Sequence, residues 1–243
     1  MSVPPPTVLL LQIRDLELPE LQEQECFVQF SGLPRERFVF WNLVERPEID
    51  LDACAGAGAV IVGGAGAHSV TAEHPFTAPL ARLVRELVAA EVPLFGSCFG
   101  PQFVAQALGG RVITDAARRE IGTFDVELTP AGLADPWLTG LPSRFAAQFG
   151  HHDRVVELPP GAVELAVSDL CPHQAFRLAG TRVYGAQFHV ELDAGRMVER
   201  AGAYRDGYLP DPEALERLRR SLRPSPVASG LLRRFLELAG VTG

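Results

Sequence analysis

Apolar positions in the first half of the chain fall into two alternating kinds of run. Thr7–Ile13, Arg37–Val44 (with Phe38, Val39, Phe40 and Trp41) and Ala57–Val62 are short and nearly unbroken, and the third stops at Gly63-Gly64. Runs of this kind suit strands buried on both faces. Between the third run and a fourth, Val92–Phe95, the residues Leu80, Leu83, Val84, Leu87 and Val88 recur at helical spacing and predict a helix over 77–90. Beyond the fourth run, Phe103, Val104, Ala107 and Leu108 share one side of a helix expected to start near Pro101, and Gly109-Gly110 ends it. Strand and helix patterns in alternation imply βαβ units and an α/β fold, with a mainly parallel central sheet covered by helices on both faces.

The second half changes period. Glu120–Leu128, Ala162–Val167, His173–Arg177 and Arg182–Phe188 read as shorter strands separated by turn clusters such as Thr129-Pro130-Ala131-Gly132, Leu158-Pro159-Pro160-Gly161 and Ala179-Gly180. This pattern predicts an antiparallel extension of the parallel sheet. From Ala194 the pattern turns helical, with an arginine-rich amphipathic stretch over Ala214–Leu222, a breaker at Arg223-Pro224-Ser225-Pro226, and a last helix over Leu231–Leu238. The expected organisation is one domain over residues 1–193 and a helical C-terminal extension, 194–243, packed on it.

Composition narrows the chemistry. The formal charge is −8, from 22 basic and 30 acidic residues, which argues against nucleic acid as a partner. All the basic residues are arginine, so neither a phosphate-loop lysine nor a Schiff-base lysine is available. No apolar run reaches the ~20 residues that span a bilayer. Met-Ser-Val-Pro-Pro-Pro-Thr lacks the basic-then-apolar layout of a secretory signal, so a cytoplasmic protein with no membrane partner is expected. The four cysteines, Cys26, Cys54, Cys98 and Cys171, are widely spaced and read as reduced thiols. His151, His152, Cys171 and His173 do not have standard zinc spacing, so no metal and no cofactor are expected.

One cysteine stands apart. Gly96-Ser97-Cys98-Phe99-Gly100 follows the fourth apolar run and precedes a helix. Glycines two positions to either side of a cysteine, at a strand-to-helix junction, make a nucleophile elbow, because the turn is too tight for Cβ atoms at those places. The turn lifts the sulfur above the sheet and aims it along the N–H groups of a helix start, which favour negative charge. A thiol nucleophile needs a base and the base needs an orienting group. In the extended stretch Gln187-Phe188-His189-Val190-Glu191, residues two apart face the same way, so His189 and Glu191 can serve as that pair.

Together, Gly96-Ser97-Cys98-Phe99-Gly100-Pro101-Gln102 and Gly185-Ala186-Gln187-Phe188-His189-Val190-Glu191 resemble the elbow and the histidine–glutamate segment of the class I glutamine amidotransferase family, in its GMP-synthase-like branch. Arg119-Glu120-Ile121-Gly122 and His151-His152-Asp153-Arg154-Val155 are similar to two further segments of that family, and the likeness spans roughly residues 7–192. It implies a flavodoxin-like amidotransferase fold. It also implies that Cys98 is the nucleophile, His189 the acid and base, and Glu191 the orienting group. Phe99 and Gly64 would supply the oxyanion N–H groups, while Gly63, Gly66, Gln102, His152 and Asp153 would bind substrate. Val190 stands where the family has proline, and Ala65 replaces the proline of the oxyanion loop.

The expected activity is amidotransferase or glutaminase-type hydrolysis of a γ-glutamyl amide through a cysteine thioester, releasing ammonia or an amine. The substrate would be glutamine or another γ-glutamyl small molecule. Only about 50 residues follow the resemblance and they hold no phosphate loop, so either a synthetase partner in trans takes the ammonia or the chain acts alone. Two alternatives share the fold: a non-catalytic regulatory protein, and a stand-alone γ-glutamyl peptidase or hydrolase. An unrelated α/β hydrolase is disfavoured by the order of His189 and Glu191.

Overall fold

The computed structural model describes residues 7–204, 211 and 213–242. Its elements run β1 (Thr7–Gln12), α1 (Glu17–Ser31), β2 (Phe38–Asn42), β3 (Ala57–Val62), α2 (Thr77–Ala89), β4 (Leu94–Ser97) and α3 (Phe99–Ala107) through the first half. There follow β5 (Arg111–Thr114), β6 (Glu120–Leu128), α4 (Pro130–Ala134), β7 (Arg144–His151), β8 (Asp153–Glu157), β9 (Ala162–Ser168), β10 (Ala175–Leu178) and β11 (Val183–Ala186). The chain ends in α5 (Ala194–Ala203), α6 (Ala214–Ser221), α7 (Pro226–Ser229) and α8 (Leu231–Leu238).

Nine strands form one sheet in the order β2-β1-β3-β4-β11-β10-β9-β6-β7. The first five are parallel, and the rest continue antiparallel. β5 and β8 pair separately. The segment expected at Arg182–Phe188 is therefore not part of the antiparallel extension. As β11 it lies parallel to β4 and antiparallel to β10, and it joins the two halves of the sheet.

The unbroken apolar runs are explained by burial on both faces. In β1, Val8 and Leu10 join one core while Leu9 and Leu11 join the other; in β3, Ala59 and Ile61 oppose Val60 and Val62 in the same way. One face is covered by α2 and α3 through Leu80, Leu83, Val84, Leu87, Phe103 and Val104. The other is covered by α1 and α8, where Phe235 packs on Phe95 at 5.0 Å between ring centroids and Trp137 Nε1 donates to Leu231 O at 2.9 Å. The proline-flanked breaker docks on β7, with Gln148 Nε2 donating to Arg223 O and Ser225 Oγ. No helix among the described residues is long and apolar enough to cross a membrane.

The hydrophobic pattern does not announce α1, and the structure shows why. Leu18 and Leu21 point to solvent, 78% and 45% exposed, while Glu23 and Gln24 are buried. A helix with leucines outside and a glutamate inside inverts the amphipathic rule. α3 begins two residues earlier than the apolar spacing suggests, at Phe99, directly after the Cys98 turn.

Three parallel strands, β3, β4 and β11, end side by side beneath that turn, at the carboxyl edge of the sheet where α/β folds form their sites. Their approach is close. A Cβ on Gly100 would collide with Val62 O, and one on Gly185 would lie 2.7 Å from Pro101 Cβ. Gly100→Ala should therefore destabilise the protein by about 1–3 kcal/mol through overpacking against β3. Thermal denaturation measures this, and a wild-type midpoint would contradict the packing.

Candidate active site

Cys98 occupies φ 56° and ψ −90°, a left-handed conformation that side chains other than glycine rarely take. Strain of this kind costs about 1–3 kcal/mol and persists only where surrounding contacts impose it. Here Cys98 N donates to Ala186 O at 2.9 Å and its carbonyl accepts from Gln187 Nε2 at 3.1 Å. Gly96 lies so close beneath α3 that a Cβ there would collide with Pro101 N. The sulfur stands at the start of α3, 3.7 Å from Gly150 O on β7.

After β11 the chain passes β7, where His189 N donates to Gln148 O at 2.9 Å. This fixes the backbone from which the imidazole projects. His189 Nδ1 and Glu191 Oε1 are 2.7 Å apart, which leaves Nε2 for Cys98. Burial disfavours the imidazolium, but the Glu191 carboxylate and Cys98 outweigh it and His189 is pushed up to about 9. Burial likewise opposes ionisation of Glu191, yet His189, Arg200 and Ser97 hold its carboxyl well below the usual range. Ser97 Oγ donates to Glu191 Oε2 at 2.7 Å and Arg200 Nη1 donates to Oε1 at 3.1 Å.

The oxyanion candidates divide. Phe99 is the first residue of α3, whose leading N–H groups have no acceptor within the helix. Gly64 N instead donates to Glu23 Oε1 at 3.1 Å, so this N–H is engaged by a buried carboxylate of α1. Glu23 also receives Arg14 Nη2 at 2.6 Å and Gln12 Nε2 at 3.0 Å. Gly64 nonetheless lies beside His189, since a Cβ there would lie 2.8 Å from Arg14 Nη2 and 3.5 Å from His189 Cε1. Gly63 does not line the site; its Cβ position faces Glu23 at 2.9 Å. Gly66, at φ +37°, is covered by the ring of Tyr204, which leaves no space for a Cβ.

Gly66, Phe99, Gln102, His152 and Asp153 share with Cys98 a cleft of about 320 Å³, within the size range of small-molecule sites. Within it, Asp153 is tied to its neighbours. Its carboxylate accepts from Ser69 Oγ, Val70 N and Thr114 Oγ1 at 2.5, 3.2 and 2.6 Å. Gln102 Nε2 donates to Asp153 O at 2.7 Å and to Gln187 Oε1 at 2.9 Å. Burial, then Arg119 and His151, push the His152 imidazole below its ordinary range. His151 also lines the cleft, and its Nε2 lies 3.0 Å from buried Glu120 Oε2.

Sequence reasoning missed Ser97, Gln187 and Arg200 as contributors. Ser97 and Gln187 lie inside the elbow and the histidine–glutamate segment, so their closeness to Cys98 and His189 was a usable signal. Arg200 carried none, being one arginine of an amphipathic helix. The remaining cysteines sit apart in chemistry: burial pushes Cys26 up to about 12, and Cys54 and Cys171 up to about 11.

The family model for glutamine amidotransferase class-I matches residues 35–200. The glutamine-hydrolyzing GMP synthase of Shewanella loihica is 32% identical over 165 residues, covering 66% of this chain and 30% of that protein. One subunit of the glutamine-hydrolyzing GMP synthase of Methanopyrus kandleri is 38% identical over 112 residues, covering 46% of this chain and 58% of the relative. The chain thus spans 30% and 58% of these relatives' length, less than two thirds of either. A glutamine amidotransferase structure from Thermotoga maritima superposes with TM-score 0.75 at 26% identity, covering 98% of this chain and 99% of that one. One from Methylobacillus flagellatus gives 0.70 at 25% identity, covering 97% and 92%. The matched family model extends from before β2 into α5 and includes both the Cys98 turn and the His189–Glu191 pair; the chain belongs to the class I glutamine amidotransferase family.

Proposed function

We propose that the protein hydrolyses the side-chain amide of glutamine through a γ-glutamyl thioester on Cys98. The observation that carries this reading is the buried His189–Glu191 pair delivered to a strained cysteine at a helix start. The Cys98 thiolate attacks the amide carbon. The carbon–nitrogen bond breaks as nitrogen takes the His189 proton, and ammonia leaves. Water then gives a proton to His189 and attacks the thioester, the carbon–sulfur bond breaks, and glutamate and the thiolate result. Glu191 holds the imidazole in the tautomer that presents Nε2 to sulfur.

The negative oxygen of each tetrahedral state lies where the Phe99 N–H can donate. Gly64 becomes the second donor once its N–H leaves Glu23. Gln102, His152 and the main chain around Asp153 shape the cleft for the amino-acid end, with the Asp153 carboxylate serving as a loop tie. Residues 194–243 form an extension of the domain of residues 1–193, because Arg200 and α8 both reach into it. A separate cytoplasmic synthetase is the expected consumer of ammonia; the Methanopyrus relative, named as one subunit of its GMP synthase, supports this arrangement.

Cys98→Ala should abolish glutamate release from glutamine. A γ-glutamyl diazoketone should label Cys98 and spare Cys26, Cys54 and Cys171. Undiminished release by the variant, or labelling spread over all four thiols, would exclude Cys98 as the nucleophile.

The pH profile supplies a second test. A reaction needing protonated His189 persists up to its raised value, about 9, and falls above it. Arg200 shares Glu191 Oε1 with His189 and weakens that carboxylate's hold on the imidazolium. Arg200→Gln should therefore move the basic limb of kcat/KM to higher pH and lower kcat by roughly 10-fold through lost orientation, with Arg200→Lys restoring part of both. An unshifted limb would mean that Arg200 does not act through Glu191.

A further inference from the structure

One arginine stands apart from the rest. Among the described residues, every other arginine side chain donates to or pairs with an oxygen of the protein, from buried Arg14 with Glu23 to exposed Arg219 with Glu216. The arginines nearest Arg119 follow that pattern, since Arg118 and Arg154 both face Asp115. The Arg119 side chain is exposed and makes no hydrogen bond or ion pair within the described residues. A free guanidinium offers donors in a planar fork that matches a carboxylate.

Strand register sets its place. β6 and β7 run antiparallel with Glu120 opposite His151; β6 begins at Glu120 and β7 ends at His151. Arg119 keeps an extended backbone, φ −63° and ψ 142°, so the next pair outward is Arg119 opposite His152. Glu120 turns inward to His151, and alternation turns Arg119 the other way, to the side of His152. After burial, Arg119 is the next cause that holds the His152 imidazole below its ordinary range. His152 lines the cleft, so Arg119 stands at its rim.

The cleft itself offers an acidic group little. No arginine is among the described residues that line it. Burial, then His74, pushes the His68 imidazole down, and His152 is lowered as well, so both are neutral at about pH 7. His151 has one ring nitrogen on Glu120 Oε2 and the other on Asp153 O. Gln102 Nε2 commits both protons, to Asp153 O and Gln187 Oε1, and so has only its oxygen for a ligand. That oxygen suits an ammonium and repels a carboxylate. Resting on the hydrolysis proposed above, we propose that Arg119 binds the substrate's α-carboxylate from the rim of the cleft. It thereby selects glutamine as the free amino acid over glutamine whose α-carboxyl is amidated or carries a peptide bond.

The test compares L-glutamine with L-glutamine α-amide on wild-type protein, Arg119→Gln and Arg119→Lys, with ammonia release giving kcat and KM. The wild-type KM should be about 10-fold lower for glutamine than for its α-amide at similar kcat, as for one charge-assisted bond made equally before and during the reaction. Arg119→Gln should raise KM for glutamine by about the same factor, keep kcat, and leave the α-amide unaffected; Arg119→Lys should recover part of the loss. Thermal midpoints should stay at the wild-type value, because Arg119 makes no bond within the described residues. The γ-glutamyl diazoketone carries the same α-carboxylate, so the concentration that half-saturates labelling of Cys98 reads the same shift without turnover. Equal KM for the two amides in the wild-type protein overturns the carboxylate site and leaves the hydrolase reading intact. So does an Arg119→Gln protein with wild-type KM and half-saturation, or one that loses equally with both amides. Absence of ammonia release together with an unlabelled Cys98 in the wild-type protein overturns the proposed function itself and this inference with it.

Discussion

The site depends on one forced turn. Cys98 stays in a left-handed conformation because the chain on either side has no freedom to relax it. Gly100 presses on the β3 carbonyl of Val62, Gly96 on the backbone at Pro101, and Gly185 of β11 on the Pro101 ring. Each contact omits a Cβ, and together they bring three parallel strands under the first turn of α3. The same closeness places Cys98, the glycine loop after β3 and the segment after β11 within reach of one another. Strain at Cys98 and the gathering of His189 and Glu191 beside it are thus two results of one packing arrangement.

Above that turn the charge balance centres on Glu191. A fully buried carboxylate is costly unless its oxygens are satisfied. Its three donors come from three separate places: Ser97 at the end of β4, His189 two residues earlier, and Arg200 on α5. Arg200 is in turn held by Gln22 of α1. The tail helix is therefore part of the ionisation of the site as well as part of its wall. Removing it would expose Glu191 to water and take away the cation that moderates its pull on His189.

What could be read from the sequence follows from how local each signal is. The Cys98 turn, β3 and β6 were legible because glycine spacing and unbroken apolar runs are local. His189 and Glu191 were legible because strand geometry alone puts them on one side. β7 and β8 went unread: Gln148, Gly150 and His151 break the alternation where β7 approaches the site, and Asp153-Arg154 opens β8 with charge. α1 was hidden for a related reason, since Glu23 and Gln24 are buried to serve Gly64, Gln12 and Arg35 rather than to fill a core. The placement of Arg200 depends on a fold-level contact with Glu191 that no spacing encodes.

The hidden helix also bears on the oxyanion loop. Phe99 offers its N–H by virtue of helix geometry alone, whereas the Gly64 N–H is held by Glu23. Exchanging Glu23 for a substrate oxyanion replaces one charged acceptor with another. A hydrogen bond to a charged group contributes roughly 1.5–3 kcal/mol, so the exchange is close to balanced when a tetrahedral oxyanion is present and unfavourable when only a neutral carbonyl is. Glu23 keeps Arg14 and Gln12 as partners after Gly64 leaves, so its own burial remains compensated. In the hydrolysis proposed above, the Gly64 N–H would therefore pass to the oxyanion of a tetrahedral state more readily than to a neutral carbonyl.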